Sequence, residues 1–144
     1  MFKKILVPID LTEPAFADKS MGIAVEQARQ HQADLHVMTV LPGFGMPIIA
    51  SYFPDDAMDK ARKETEKQLH DYVAAKVPDD VTVTSTVGEG SPYEQIVKQA
   101  KKIKADLIVI RSHDKRPLEE ILLGSCAQKV VEHAPCSVMV VRVD

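Results

Sequence analysis

Short, continuous runs of apolar residues recur along the chain and predict buried strands. Residues 5–9, 107–110 and 138–141 are apolar throughout, and residues 35–41 are apolar at most positions. Runs of this length without alternation are typical of parallel strands that helices cover on both faces. Residues 81–87 alternate strictly instead, which predicts a half-exposed strand at a sheet edge. The chain therefore has five predicted strands.

Segments with helical periodicity separate these strands. Apolar residues recur every three or four positions in residues 16–29, in the longer stretch 55–76 and in 121–133. Another helix is predicted to begin at Ser91, because a capping serine followed by Pro92 and Glu94 is typical of a helix start. The first stripe consists of Ala17, Met21, Ala24, Val25 and Ala28, and the second of Met58, Ala61, Thr65, Leu69, Tyr72 and Val73.

The order of these elements predicts the fold class. Strands alternate with helices throughout, which implies right-handed crossovers and a doubly wound, five-stranded parallel sheet with helices on both faces, an α/β fold. The 144 residues are enough for one domain, residues 1–144, and show no internal repeat. In such sheets, ligands bind at the carboxyl ends of the strands, where the winding direction reverses.

Composition and charge narrow the function classes. Apolar residues make up 45% and charged residues 27%, as in soluble globular proteins. Eighteen Lys and Arg against 21 Asp and Glu give a net charge of −3, which argues against a nucleic-acid or anionic-membrane partner. Residues 1–10 hold an apolar run too short for a signal-peptide core, and no later run approaches the ~20 residues of a membrane span. We therefore expect a cytoplasmic protein.

Several chemistries lack their motifs. The loop after residue 9 has no glycine, which argues against a P-loop or a dinucleotide fingerprint there. The third predicted strand runs into Gly88 without a phosphoacceptor aspartate, which argues against a response regulator. No Gly-x-Ser-x-Gly motif occurs, which argues against a nucleophile elbow. A flavodoxin-like carrier is disfavoured too, since the chain has no Trp. Two cysteines make no disulfide framework, and no cluster has metal-ligand spacing. We predict no catalytic residues and no metal site.

An anion site is the chemistry that the residues favour. Gly124 and Ser125 open the fourth helical pattern, where backbone N–H groups and a hydroxyl can meet a phosphate. Cys126 follows at the same helix start, which predicts a lowered thiol pKa. Cys136 is interpreted as a small, buried apolar residue. We interpret His31, His36, His70 and His133 as structural or surface residues.

The motifs in their order carry a family resemblance. They are ILVPID at residues 5–10, Gly-x-Gly-Ser-Pro at 88–92, ADLIVI-x-SH at 105–113, LLGS at 122–125 and HAPCSVMVV at 133–141. In this order and spacing the chain resembles the universal stress protein family over nearly its whole length. The resemblance implies the layering shared by adenine nucleotide alpha hydrolase-like and flavodoxin-like folds. It also implies an ATP site that comprises Pro8, Asp10, Val40, Arg111, His113, Asp114, Gly124, Ser125 and Cys126.

The family's ATP motif, Gly-x2-Gly-x9-Gly-Ser/Thr, is altered in this chain. Its last pair matches Gly124 and Ser125, but Arg111 and Asp114 occupy the positions of the first two glycines. Asp114 brings a carboxylate towards the phosphates unless Mg²⁺ or the basic residues at 115 and 116 offset it. The chain is similar to the branch of the family that keeps Ser112 and His113 without the flanking glycines, and the resemblance implies that this branch can still hold ATP. The alternatives are a regulatory interaction module with a degenerate nucleotide site and a weak ATPase.

Ordinary structural roles compete with ligand binding at several of these positions. Asp10 is interpreted either as a residue at the adenine and ribose end of the nucleotide or as a helix cap or loop residue. Val40 is either a core residue or an adenine contact. His113 either donates to a phosphate or bonds a local carbonyl, and Arg111 is more often a solvated charge than a ligand.

The last predicted strand, residues 137–143, favours self-association. It is apolar and follows the final crossover, which leaves it at a sheet edge that invites pairing. The family resemblance points to the same interface. We therefore expect a homodimer through this strand, and the sequence leaves assembly beyond the dimer open.

Overall fold

The computed structural model describes residues 1–41, 57–112 and 124–142. Five strands and four helices alternate within these ranges, each close to its predicted position. In chain order they are β1 (Lys4–Pro8), α1 (Pro14–His31), β2 (Asp34–Leu41), α2 (Ala57–Lys76), β3 (Val83–Glu89), α3 (Pro92–Ile103), β4 (Leu107–Arg111), α4 (Ser125–His133) and β5 (Ser137–Val141). The predicted starts of the second and fourth helices, residues 55–56 and 121–123, lie outside the described residues.

All five strands are parallel and lie in the order β3-β2-β1-β4-β5. Pro8 is opposite Met38 at the end of β1, and Arg111 is opposite Val141 at the end of β4. The predicted fold class is therefore confirmed. β3 and β5 form the two edges, as their sequences predict, and the winding reverses between β1 and β4.

The core has two layers because the sheet is covered on both faces. Ile5 and Val7 of β1 pack in the layer beneath α1 and α2, whereas Leu6 packs in the layer beneath α3 and α4. The whole predicted stripe of α1 is buried. In α2 only Leu69 is fully buried, and the other predicted stripe residues are half-buried.

Helix ends are set by prolines at the start and by left-handed residues at the end. Pro14 and Pro92 occupy the first turns of α1 and α3, and Gln32 and Lys104 end these helices with φ of 55° and 56°. Ser91 precedes α3 as predicted, but its hydroxyl makes no capping hydrogen bond. Its carbonyl oxygen instead accepts from Gln95 N–H at 3.0 Å. No helix in the described ranges is both long enough and apolar enough to cross a membrane.

Candidate functional site

The sheet topology brings most of the predicted site residues to one end of the sheet, the end at which all five parallel strands terminate. The carboxyl ends of parallel strands lie together at this end of the sheet. The residues at or just beyond these ends are Pro8, Asp10, Val40 and Arg111. The start of α4 lies at this end too, because a helix that joins the parallel strands β4 and β5 must run back along the sheet. The crevice between β1 and β4 is where the winding reverses, so it is the expected ligand position. His113 and Asp114 lie outside the described residues.

Pro8 and Val40 contribute the apolar part of this end of the sheet. Pro8 is buried at the end of β1. Val40 is half-buried near the end of β2 and packs against the core layer of α3 and α4. Both are held by the strand ladder, so they provide a fixed apolar surface beside the crevice.

Asp10 organises the loop that leaves β1. Its side chain is exposed, and one carboxylate oxygen accepts hydrogen bonds from Thr12 N–H at 2.9 Å and from Thr12 Oγ1 at 2.6 Å. This local turn is the pattern in which aspartate favours a loop conformation. Asp10 does not cap α1, which begins after Glu13 without any side-chain capping bond. The loop role foreseen from the sequence is therefore confirmed, and the cap role is wrong.

Arg111 bridges the crevice. At the end of β4 its guanidinium forms an ion pair with Glu13, the residue before α1, and lies 5.0 Å from the centre of the Phe16 ring. Only 12% of its side chain is exposed, so the interpretation of Arg111 as a solvated charge is wrong. Burial between an acidic and an aromatic partner fixes this cation at the mouth of the crevice.

The start of α4 offers backbone donors at the same end of the sheet. Gly124 precedes the helix with φ of 85°, a conformation that suits glycine and strains other residues. Gln128 N–H donates to Gly124 O at 3.0 Å, so the amides of residues 125–127 precede the first bond along the helix. Ser125 is exposed beside them. This arrangement suits an anion, and it confirms that Gly124 and Ser125 open a helix.

The predicted activation of Cys126 is wrong. Burial raises the pKa of its thiol, and Lys129 offsets this only in part. The side chain is half-buried against the core layer of α3 and α4, so the loss of hydration outweighs the favourable helix terminus. Cys136 is also half-buried against that layer, and burial raises its thiol pKa as well. Its interpretation as a small apolar residue holds except that burial is partial.

His36 shows how a structural histidine is accommodated. It is buried, with Nδ1 at 2.6 Å from Thr84 Oγ1 and Nε2 at 2.9 Å from Thr86 Oγ1 and 3.2 Å from Gln99 Nε2. Burial lowers the pKa of the imidazole, and the positive charge of Lys4 lowers it further. The structural interpretation of His36 is thus confirmed.

Glu13 and Phe16 are site residues that no sequence pattern predicts. Glu13 lies 98 positions from Arg111, and no local pattern connects residues so far apart. The only available signal was topological, since the loop after β1 and the end of β4 flank the same reversal of winding.

Comparisons with known proteins agree on one family. A model of the universal stress protein family matches residues 1–142. A universal stress protein of Methanocaldococcus jannaschii is 32% identical over 150 residues, which cover 99% of this chain and 83% of that protein. Universal stress protein G of Escherichia coli O157:H7 is 30% identical over 144 residues, which cover 99% of this chain and 100% of that one.

Solved structures share the fold. The universal stress protein UspA from Lactobacillus plantarum is 28% identical, with a TM-score of 0.71 over 97% of each chain. A universal stress protein in complex with cAMP is 20% identical and has a TM-score of 0.64, over 99% of this chain and 98% of that one. One from Archaeoglobus fulgidus in complex with dAMP is 21% identical and has a TM-score of 0.62, over 96% of each chain.

Proposed function

Because the chain belongs to the universal stress protein family, we propose that it binds ATP in the crevice between β1 and β4 and acts in the cytoplasmic stress response as a nucleotide-dependent regulatory homodimer. The observation that carries this proposal is the start of α4. There Gly124, Ser125 and the first amides of the helix lie at the end of the sheet where the strands terminate. Phosphates would bind at this helix start, and Pro8, Asp10 and Val40 would lie at the adenine and ribose end.

Adenine nucleotides are the ligand class that the comparisons favour. Two structures of the same fold are complexes with cAMP and with dAMP. ATP shares their adenine and adds phosphates, which suit the backbone donors of α4. At this end of the sheet the hydroxyl of Thr12 donates to the Asp10 carboxylate, and the same carboxylate accepts from Thr12 N–H, so the pair closes a local turn. We therefore propose regulation by binding, with weak hydrolysis as the most that the site would support.

Calorimetric titration with ATP tests the site. Gly124→Val should abolish measurable binding, because a branched side chain at φ of 85° strains the helix start and fills the phosphate position. Ser125→Ala should cost ~1–3 kcal/mol, the value of one hydroxyl bond to a charged oxygen. Gly22→Val is the matched control, since a Cβ at Gly22 meets no atom within 4 Å. Undiminished ATP affinity in Gly124→Val would contradict the proposed position.

The same titration, repeated with Mg²⁺ and with a chelator, tests the role of Asp114. We propose that its carboxylate either repels the phosphates or takes part in holding Mg²⁺ with them. In Asp114→Gly, pure repulsion predicts tighter ATP binding in chelator, whereas a role in holding the ion predicts weaker binding with Mg²⁺ present. Equal ATP affinities of the unsubstituted protein and Asp114→Gly, both with Mg²⁺ and with chelator, would show that Asp114 takes no part in nucleotide binding.

A second candidate function follows from the Arg111 bridge. The ion pair between Arg111 and Glu13 spans the crevice, which favours a regulatory interaction module with a degenerate nucleotide site. The two candidates differ in the unsubstituted protein. ATP binding that depends on Gly124 supports the nucleotide-dependent regulator, and the absence of any heat of binding supports the module.

A further inference from the structure

A groove of about 700 Å³ lies at the β3 edge of the sheet, and β2 and β1 separate it from the crevice. The edge strand forms its floor, with α2 on one side and α3 on the other. From α2 come Arg62, Glu66 and His70, and from α3 come Lys98 and Lys102. The edge strand is therefore recessed between two helices.

The backbone of β3 directs hydrogen-bonding groups into this groove. Leu35 N–H donates to Thr82 O at 2.8 Å, so the peptide groups of residue 82 point towards β2. By alternation, the peptide groups of Val83, Ser85 and Val87 point away from β2. The Val87 carbonyl accepts from Arg62 Nη2 at 3.1 Å, which agrees with this assignment. No strand lies beyond β3 in the described part of the chain. Ser85 in the groove and Val83 just before its lining thus offer the peptide groups that a further strand would pair with.

The two walls of the groove differ in charge. Lys98 and Lys102 are exposed on α3, and neither forms an ion pair with any residue in the described ranges. On the other side, Arg62 is already paired with Glu66 at 3.4 Å and with Glu89. The cationic attraction therefore comes from the α3 wall. A compact polyanion such as a nucleotide would meet the two glutamates as well.

The spacing of the two lysines matches an extended chain. Four residues of helix advance by ~6 Å, so Lys98 and Lys102 lie about that far apart along α3. Alternate residues of a strand point to the same side and lie ~6.6 Å apart. Acidic residues at alternate positions of an added strand would thus meet one lysine each.

We propose that this groove binds an extended segment of a protein partner, which adds a strand to β3 and carries Asp or Glu at alternate positions facing α3. A second copy of this chain does not fit the description. Its own β3 is recessed in the same way, so two such edges cannot meet. The opposite edge strand, Ser137–Val141, carries no acidic residue to match the lysines.

The test uses a fluorescein-labelled peptide of about eight residues, the length of a strand, that alternates glutamate with valine or threonine. Fluorescence anisotropy should show saturable binding that weakens with added salt. The double substitution Lys98→Glu with Lys102→Glu should reduce affinity at least about tenfold. Lys101→Glu, a charge reversal on the same helix outside the groove, should leave it unchanged.

Two further arms separate strand addition from charge attraction. Ser85→Pro removes an outward N–H and keeps the bonds to β2, so it should abolish binding while the far-UV circular dichroism is retained. Should Ser85→Pro fail to fold, a peptide N-methylated at alternate amides tests the same bonds from the ligand's side. Binding should also persist in Gly124→Val, which distinguishes the groove from the crevice. The proposal would be overturned if the alternating peptide does not bind, or if a peptide with adjacent glutamates binds equally well. It would also be overturned if the Lys98 and Lys102 substitutions leave the affinity unchanged.

Discussion

At the scale of single residues, we expect His36 to make the stability of the fold depend on pH. Its imidazole is buried between β2, β3 and α3, and its pKa lies below the ordinary value of 6.5 because burial disfavours the charged form. The unfolded chain therefore binds a proton that the folded chain resists. The free energy of unfolding falls as the pH decreases through 6.5 towards the folded pKa. Each unit of pKa difference is worth ~1.4 kcal/mol.

Urea unfolding near neutral pH and at about pH 5 measures this effect. The unsubstituted protein and the control His70→Gln, whose histidine is exposed, should lose stability by similar amounts on acidification. His36→Gln keeps a donor and an acceptor for Thr84 and Thr86 but cannot titrate, so it should lose less. An identical loss in all three proteins would assign the pH dependence to other groups.

At the scale of elements, two helices end on residues that carry avoidable strain. Lys104 ends α3 in the left-handed region with φ of 56°, and its N–H bonds back to the helix. A residue with a Cβ pays ~1–2 kcal/mol for this conformation, whereas glycine does not. Part of that gain is lost because glycine makes the unfolded chain more flexible.

Lys104→Gly should therefore raise the free energy of unfolding by roughly 0.5–1 kcal/mol. Lys101→Gly, three positions earlier in the same helix, is the matched control. There the backbone is helical, so glycine should lower stability by ~1 kcal/mol. Thermal or urea unfolding gives both values. Changes of the same sign in the two variants would show that the end of α3 does not carry this strain.

The elements could largely be predicted from the sequence because local patterns determine them. The apolar run of β1 and the stripe of α1 specify burial directly, and both are confirmed. The site was predictable only as positions along the strands. The Arg111 bridge to Glu13 joins residues that the chain brings together only through its crossovers. The sequence predicts the wrong direction for the thiol pKa of Cys126, because it shows the helix start but not the core packing that outweighs it.

At the scale of the whole molecule, the two edge strands of the sheet differ in polarity and in how far helices cover them. The β3 edge is polar and recessed between helices, whereas β5 is an apolar strand. Val138, Met139 and Val140 are only half-buried in the single chain. Ser112 N–H donates to Val141 O at 2.8 Å, so the peptide groups of residue 141 point towards β4. By alternation, the peptide groups of Val138 and Val140 point outward, away from the sheet. Such an edge favours pairing with an identical strand about a two-fold axis, which is the homodimer proposed above.

Val140→Pro tests that homodimer without breaking the fold of one chain. Proline removes the outward N–H and places its ring at the paired edge, while the bonds between β5 and β4 use the alternate residues. Light scattering should therefore report monomer, or aggregate where the apolar edge stays exposed, with far-UV circular dichroism retained. Ser85→Pro makes the same change at the opposite edge and should leave the dimer intact. A dimer that survives Val140→Pro would show that β5 does not carry the interface, and a dimer lost only in Ser85→Pro would move it to β3.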